Sequence, residues 1–316
     1  MKRHLLAEFG AMPWALLPAY LGTMNAVLSN WQDGVRPSAE VLEMIARDQN
    51  ARLIRKESAQ QVQEGSIAVL TLYGAIMQRA NMVSDVSGGG ATSTQQFTRA
   101  LREAVTNPAV ESIIIDIDSP GGSVNGTPEL ASEIYRARGK KPIIGIANAL
   151  CASAAYWIGS QCSELYCTPS GQVGSIGVYQ CHQDISKALE EDGLSVTMIS
   201  AGRYKVEGNP YEPLSDAARA NLQKMVNDSY DMFVSDIARG RGVSVASVKN
   251  GMGEGRCLSA SDALQARMID GIATFDEVVA KCGGGGSKKA GAGMSVNALG
   301  RSVNMAKLQL ELLALR

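Results

Sequence analysis

The stretch Ser112-Ile-Ile-Ile-Asp-Ile-Asp118, running directly into Ser119-Pro-Gly-Gly122, decides the fold. Its β-branched residues are apolar on both faces, which suits a strand of a parallel sheet covered by helices on each side. The proline and glycines that end it mark a tight turn where backbone N–H groups can face outward. Thr127-Pro-Glu129 follows with an N-cap, a proline in the first helical turn and an early acid, so a helix is expected over Leu130 to Arg138.

The same alternation continues outward from this unit. Ile67-Ala-Val-Leu-Thr-Leu72, Pro142-Ile-Ile-Gly-Ile-Ala147 and Leu194-Ser-Val-Thr-Met-Ile199 are further strand candidates. Ser215 caps a long helical pattern through Leu222, Val226, Tyr230, Phe233 and Ile237, and Ser259 opens another helix toward Ile269. Strands alternating with helices imply right-handed βαβ units, hence an α/β fold with a mostly parallel sheet.

Composition divides the chain into four parts. Residues 1–64 read as a helical N-terminal segment, 65–282 as the α/β domain, 283–293 as a glycine-rich linker and 294–316 as an amphipathic tail. A formal net charge of −1 and the absence of a basic cluster interleaved with aromatics argue against a nucleic-acid partner. Glu8, Pro13, Pro18 and Asn25 interrupt the early apolar run, so neither a secretory leader nor a membrane span is expected. The six cysteines show no CxxC spacing, so no metal is expected, and they read as mostly buried thiols.

Three stretches carry chemistry, each at the end of a predicted strand. Asp118-Ser-Pro-Gly-Gly122 could present backbone donors to a developing oxyanion, or be an ordinary turn. Cys151-Ala-Ser153-Ala-Ala155 places a serine between small residues at the start of an apolar helix, where the helix N-terminus favours negative charge. A capping serine is the simpler alternative. Ser200-Ala-Gly-Arg-Tyr-Lys205-Val-Glu-Gly-Asn-Pro-Tyr211 sets a lysine in an irregular loop. A lysine serves as a general base only where burial favours its uncharged form.

Only His4 and His182 could supply an imidazole instead. His4 sits at the extreme N-terminus, and no carboxylate partner for His182 can be named. Lys205 is therefore the preferred base for Ser153, with a Ser–His182 arrangement as the rival.

Together with Gly174-Ser-Ile-Gly-Val178, these stretches resemble the signal peptide peptidase A family. Lys205-Val-Glu-Gly-Asn-Pro-Tyr211 and the early Pro13-Trp14 look like its tailed-phage, lambda-type head-maturation branch. The resemblance covers about residues 65–280. It implies a crotonase- or Clp-protease-like repeated ββα superhelix with a Ser–Lys dyad, Ser153 as nucleophile and Lys205 as base. It further implies that Ser175 orients the lysine and that the N–H groups of Gly122 and Ala154 form the oxyanion hole, with Gly121 as the fallback.

The small residues beside Ser153 replace glycines common in cellular members, which affects pocket shape more than the dyad. The implied protein is a serine endopeptidase, without cofactor, acting on scaffold, capsid or portal proteins and on itself. It is expected to form a homo-oligomer in the host cytoplasm or procapsid interior, without membrane or nucleic-acid partners. Met294 could start a separate scaffold product. The alternatives are a bacterial peptidase degrading signal-peptide remnants and a non-catalytic crotonase-like assembly module.

Overall fold

The structure, a computed structural model, describes residues 12–20, 67–79 and 91–283. Its strands are β1 (Trp14–Leu16), β2 (Ile67–Tyr73), β3 (Ile76–Met77), β4 (Thr92–Ser93), β5 (Ser112–Ser119), β6 (Gly121–Ser123), β7 (Ile143–Ala152), β8 (Glu164–Cys167), β9 (Gln172–Gly174), β10 (Cys257–Ser259) and β11 (Gly271–Ile272). Its helices are α1 (Thr94–Thr106), α2 (Thr127–Ala137), α3 (Ala154–Gly159), α4 (Ser186–Glu191), α5 (Asp216–Arg241), α6 (Val245–Gly251), α7 (Ala260–Gln265) and α8 (Phe275–Cys282).

The main sheet runs β10-β9-β7-β5-β2, with β8 beside β7 and β11 beside β8. Every pairing in it is parallel except β10 with β9. A second sheet, β1-β6-β3-β4, stacks the short strands. A repeat emerges from this arrangement. β2 and β5 are neighbours in the main sheet, each continues into a short strand of the second sheet (β3 and β6, themselves parallel), and a helix follows each pair. This is the ββα repeat expected of the sequence, on an α/β, mostly parallel scaffold.

The isoleucines of β5 are all buried, as a strand covered on both faces requires. Leu101 of α1, Ile134 of α2 and Phe233 of α5 join Ile113, Ile115 and Ile117 in one cluster. The ring of Trp157 stacks on Phe233 with centroids 4.3 Å apart, and its Nε1–H donates to Asp236 Oδ2 at 2.8 Å, so α3 is locked onto α5. Cys162 and Cys167 are buried, and burial pushes their thiols up to about 12 and about 11, so both remain protonated packing groups.

α5 begins as the sequence predicts, with the Ser215 hydroxyl accepting the Ala218 N–H at 3.2 Å. Its end is fixed by Arg241, whose guanidinium donates to both carboxylate oxygens of Asp270 at 2.7 and 2.9 Å. Asp270 also accepts the Leu165 N–H at 2.7 Å. Burial pushes this carboxyl up, but Arg241 and the Leu165 N–H outweigh it and hold it below its usual value. A depressed carboxyl contributes stability above the ordinary value near ~4 and loses it as pH falls through the folded one. Asp270→Ala is expected to cost about 2–3 kcal/mol, because it strands a buried guanidinium and a strand N–H. Urea titration at pH 7 and pH 3 measures this, and the deficit should shrink at the lower pH.

Three expectations are corrected. Leu194–Ile199 is not a strand: it pairs with no strand among the described residues, and Ile199 is 96% exposed. Its β-branched pattern is real, but no strand of the described chain lies beside it. β7 runs on to Ala152 instead of stopping at Ala147, because pairing with β9 at Leu150, Cys151 and Ala152 extends it. Within the N-terminal segment, expected to be helical, Trp14–Leu16 is a strand paired with β6. Residues 1–11 and 21–64 of that segment, the linker beyond Gly283 and the tail lie outside the described residues, as do His4 and Met294.

Candidate active site

The ends of β5 and β7 meet in the main sheet. Ser119 pairs with Cys151 across a register irregularity, which sets the Pro120-Gly121-Gly122 turn beside Ala152-Ser153. Ser153 stands between β7 and α3 with φ 56° and ψ −118°, a left-handed conformation that costs a non-glycine residue about 1–3 kcal/mol. It is held by its N–H donating to Gly174 O at 2.7 Å and by its carbonyl accepting the Trp157 N–H at 2.9 Å. The side chain therefore projects from a fixed corner at the start of a buried helix.

Gly121 and Gly122 face this corner with no room for side chains. A Cβ on Gly121, whose φ is +100°, would lie 2.9 Å from Ser153 Cβ and 2.3 Å from the Ala15 carbonyl oxygen. One on Gly122 would lie 1.9 Å from Ile76 O. Glycine is thus dictated twice by close backbone approach. Ser119 braces the turn, its hydroxyl donating to Gly74 O at 2.6 Å and accepting the Gly121 N–H at 3.2 Å. Ser175, also left-handed at φ 54°, adjoins Gly174 and donates its N–H to Arg256 O at 2.8 Å. The Ala154 N–H belongs to the first turn of α3. Ser153, Ala154, Gly121, Gly122 and Ser175 are thereby brought to one end of the sheet.

Lys205 is not brought there. It is exposed, in a chain of turns where its N–H donates to Gly202 O at 3.1 Å. His182 bonds through Nε2 to Asn209 O at 3.0 Å, and the Ile185 N–H donates to Pro210 O at 2.8 Å, so this region anchors the lysine loop. The Ser153 hydroxyl is buried and has no hydrogen-bond partner among the described residues. Neither rival base touches it.

The sequence reading missed β1 as a component of the site. Trp14 exchanges both backbone hydrogen bonds with Tyr179, at 2.8 and 3.0 Å, while the opposite edge of β1 pairs with the glycine strand β6. The available signal was Pro13-Trp14, noted only as a family-like feature. No described group of three or more His, Cys, Asp or Glu could hold a metal. No helix among the described residues is long and apolar enough to cross a membrane.

A serine at a strained strand-to-helix turn, faced by paired glycines at the end of a parallel sheet, defines the class to which this α/β chain belongs. Residues 136–285, which hold both Ser153 and Lys205, match the model for Peptidase family S49. It is similar to Capsid assembly protease C of Escherichia phage lambda, with 32% identity over 71% of this chain and 50% of the relative. It is also similar to Head-tail preconnector protein GP5 of Enterobacteria phage P21, with 34% identity over 58% of this chain and 36% of the relative. The chain thus spans half or less of the length of these two relatives. Among solved structures, the 1510-N membrane protease from Pyrococcus horikoshii superposes with a TM-score of 0.41 and 16% identity, covering 69% of this chain and 78% of the other.

Proposed function

We propose that the chain is a serine endopeptidase that cleaves proteins of an assembling phage head, and itself, through Ser153 and Lys205. The observation that carries the reading is the buried Ser153 hydroxyl at its strained turn against Gly121 and Gly122. The match to a peptidase family model and the similarity to two phage proteins direct it to this substrate class.

Ser153 Oγ attacks the scissile carbonyl carbon and passes its proton to the uncharged Lys205 amine. The Gly122 and Ala154 N–H groups, with Gly121 as fallback, receive the oxyanion. The lysine then protonates the departing amine, and water hydrolyses the acyl ester. Ser175 orients the ammonium.

A single chain does not complete this dyad, and the exposed apolar run beside the lysine loop supports completion in an oligomer. Leu194, Val196, Met198 and Ile199 are 55%, 44%, 46% and 96% exposed, and Tyr204 is 59% exposed. A second copy covering them would bury Lys205 and favour its neutral form. The procapsid interior and host cytoplasm are the setting this reading implies.

Incubation with the head proteins of its own phage, followed by N-terminal sequencing of the fragments, tests the function. Discrete fragments from scaffold, capsid or portal protein that vanish with Ser153→Ala are the expected result. Intact head proteins alongside cleaved signal-peptide remnants would favour the housekeeping alternative.

A further inference from the structure

The strand β1 lies against the glycine strand β6 as an extended peptide would. It is clasped on both edges: by β6 on one side, antiparallel, and by Tyr179 on the other, also antiparallel. Addition of an extended segment between two strand edges is a general mode of peptide binding, with backbone bonds setting the register. Trp14 and Ala15 are fully buried and Leu16 is 2% exposed.

The register identifies which β1 carbonyl faces the glycine strand. The Leu17 N–H donates to Pro120 O at 3.0 Å and the Val124 N–H to Pro13 O at 3.2 Å. In an antiparallel ladder hydrogen-bonded pairs alternate, so Ala15 and Gly122, which are opposed, form the bonded pair between those two. The Ala15 carbonyl thus turns toward the Gly122 N–H. The same oxygen lies 2.3 Å, and Ser153 Cβ 2.9 Å, from a single point, the position that a Gly121 Cβ would occupy. The methyl of Ala15 is enclosed in the main apolar cluster, while Trp14 and Leu16 pack with Met12, Met77 and Tyr179.

We propose that residues 13–17 are the enzyme's own first substrate, bound in the cleft and cleaved between Ala15 and Leu16. The inference rests on the peptidase reading above. Ser153 Oγ bonds to the Ala15 carbonyl carbon as its proton moves to the Lys205 amine. The Ala15–Leu16 C–N bond breaks, and the Leu16 nitrogen takes that proton. Water then hydrolyses the Ala15 ester, restoring the Ser153 hydroxyl and freeing the peptide that ends at Ala15. Until the base arrives, the segment covers the serine, which matches a nucleophile without a hydrogen-bond partner among the described residues. The small side chain next to the scissile bond defines the preference of that subsite.

The experiment compares intact mass and N-terminal sequence of the full-length wild type and Ser153→Ala. In parallel, each is tested with a fluorophosphonate probe and casein. Wild type is expected to lose the residues up to Ala15 and begin at Leu16, while Ser153→Ala keeps its N-terminus. A wild type that labels and digests casein yet keeps residues 1–15 would overturn this proposal and leave the peptidase reading standing. If wild type neither labels nor cleaves, both fall together. Equal trimming of Ser153→Ala would assign the cut to another protease and also refute the proposal.

Discussion

Ser153→Ala is expected to lower the rate of peptide-bond cleavage by about 10⁴-fold or more, with the fold intact. The magnitude follows from removing the only atom that forms the acyl bond, a loss typical of nucleophile deletions in enzymes whose catalytic groups act as a unit. The fold should survive because the serine hydroxyl has no hydrogen-bond partner among the described residues, so its loss strands none of their groups. Alanine also retains the Cβ that the corner already accommodates. Its cost is limited to the left-handed φ of 56°, which the serine bears equally. A melting curve close to wild type beside a flat progress curve is the signature. Full activity in this variant would remove the nucleophile from the account.

Lys205→Ala is expected to cost ~10³-fold or more in kcat, and Lys205→Arg nearly as much. Arginine retains the positive charge, but its guanidinium stays protonated and cannot accept the serine proton. The pair therefore separates a base from a merely electrostatic residue. His182→Ala should be mild by comparison, because its ring serves Asn209 O in the lysine loop. Initial rates across pH 5–10 provide the readout. A severe His182 defect with a mild Lys205 defect would reverse the assignment.

Much of the scaffold was legible because it depends on local chemistry. The β5 isoleucines, the Ser215 cap and the paired glycines after β5 each announce themselves within a few residues. Ser153 was legible for the same reason, as the one serine between small residues at a strand-to-helix junction. The short strands were not, since β3 and β4 have two residues each and form only because distant chain lies beside them. β1 is the sharpest case. Met12-Pro-Trp-Ala-Leu-Leu-Pro18 has no readable period, and its strand character comes entirely from β6 and Tyr179. Leu194–Ile199 shows the converse, a good strand pattern that no neighbour in the described chain satisfies. That the Lys205 side chain is exposed was unreadable for a related reason: burial depends on long-range contacts and not on the residues of its own loop.

Most directly decisive is peptide mapping of the fluorophosphonate adduct on the wild-type protein. The account predicts one adduct, on the Ser153 hydroxyl, formed far more slowly in Lys205→Ala. An adduct on any other serine, or a rate unchanged without the lysine amine, would contradict it.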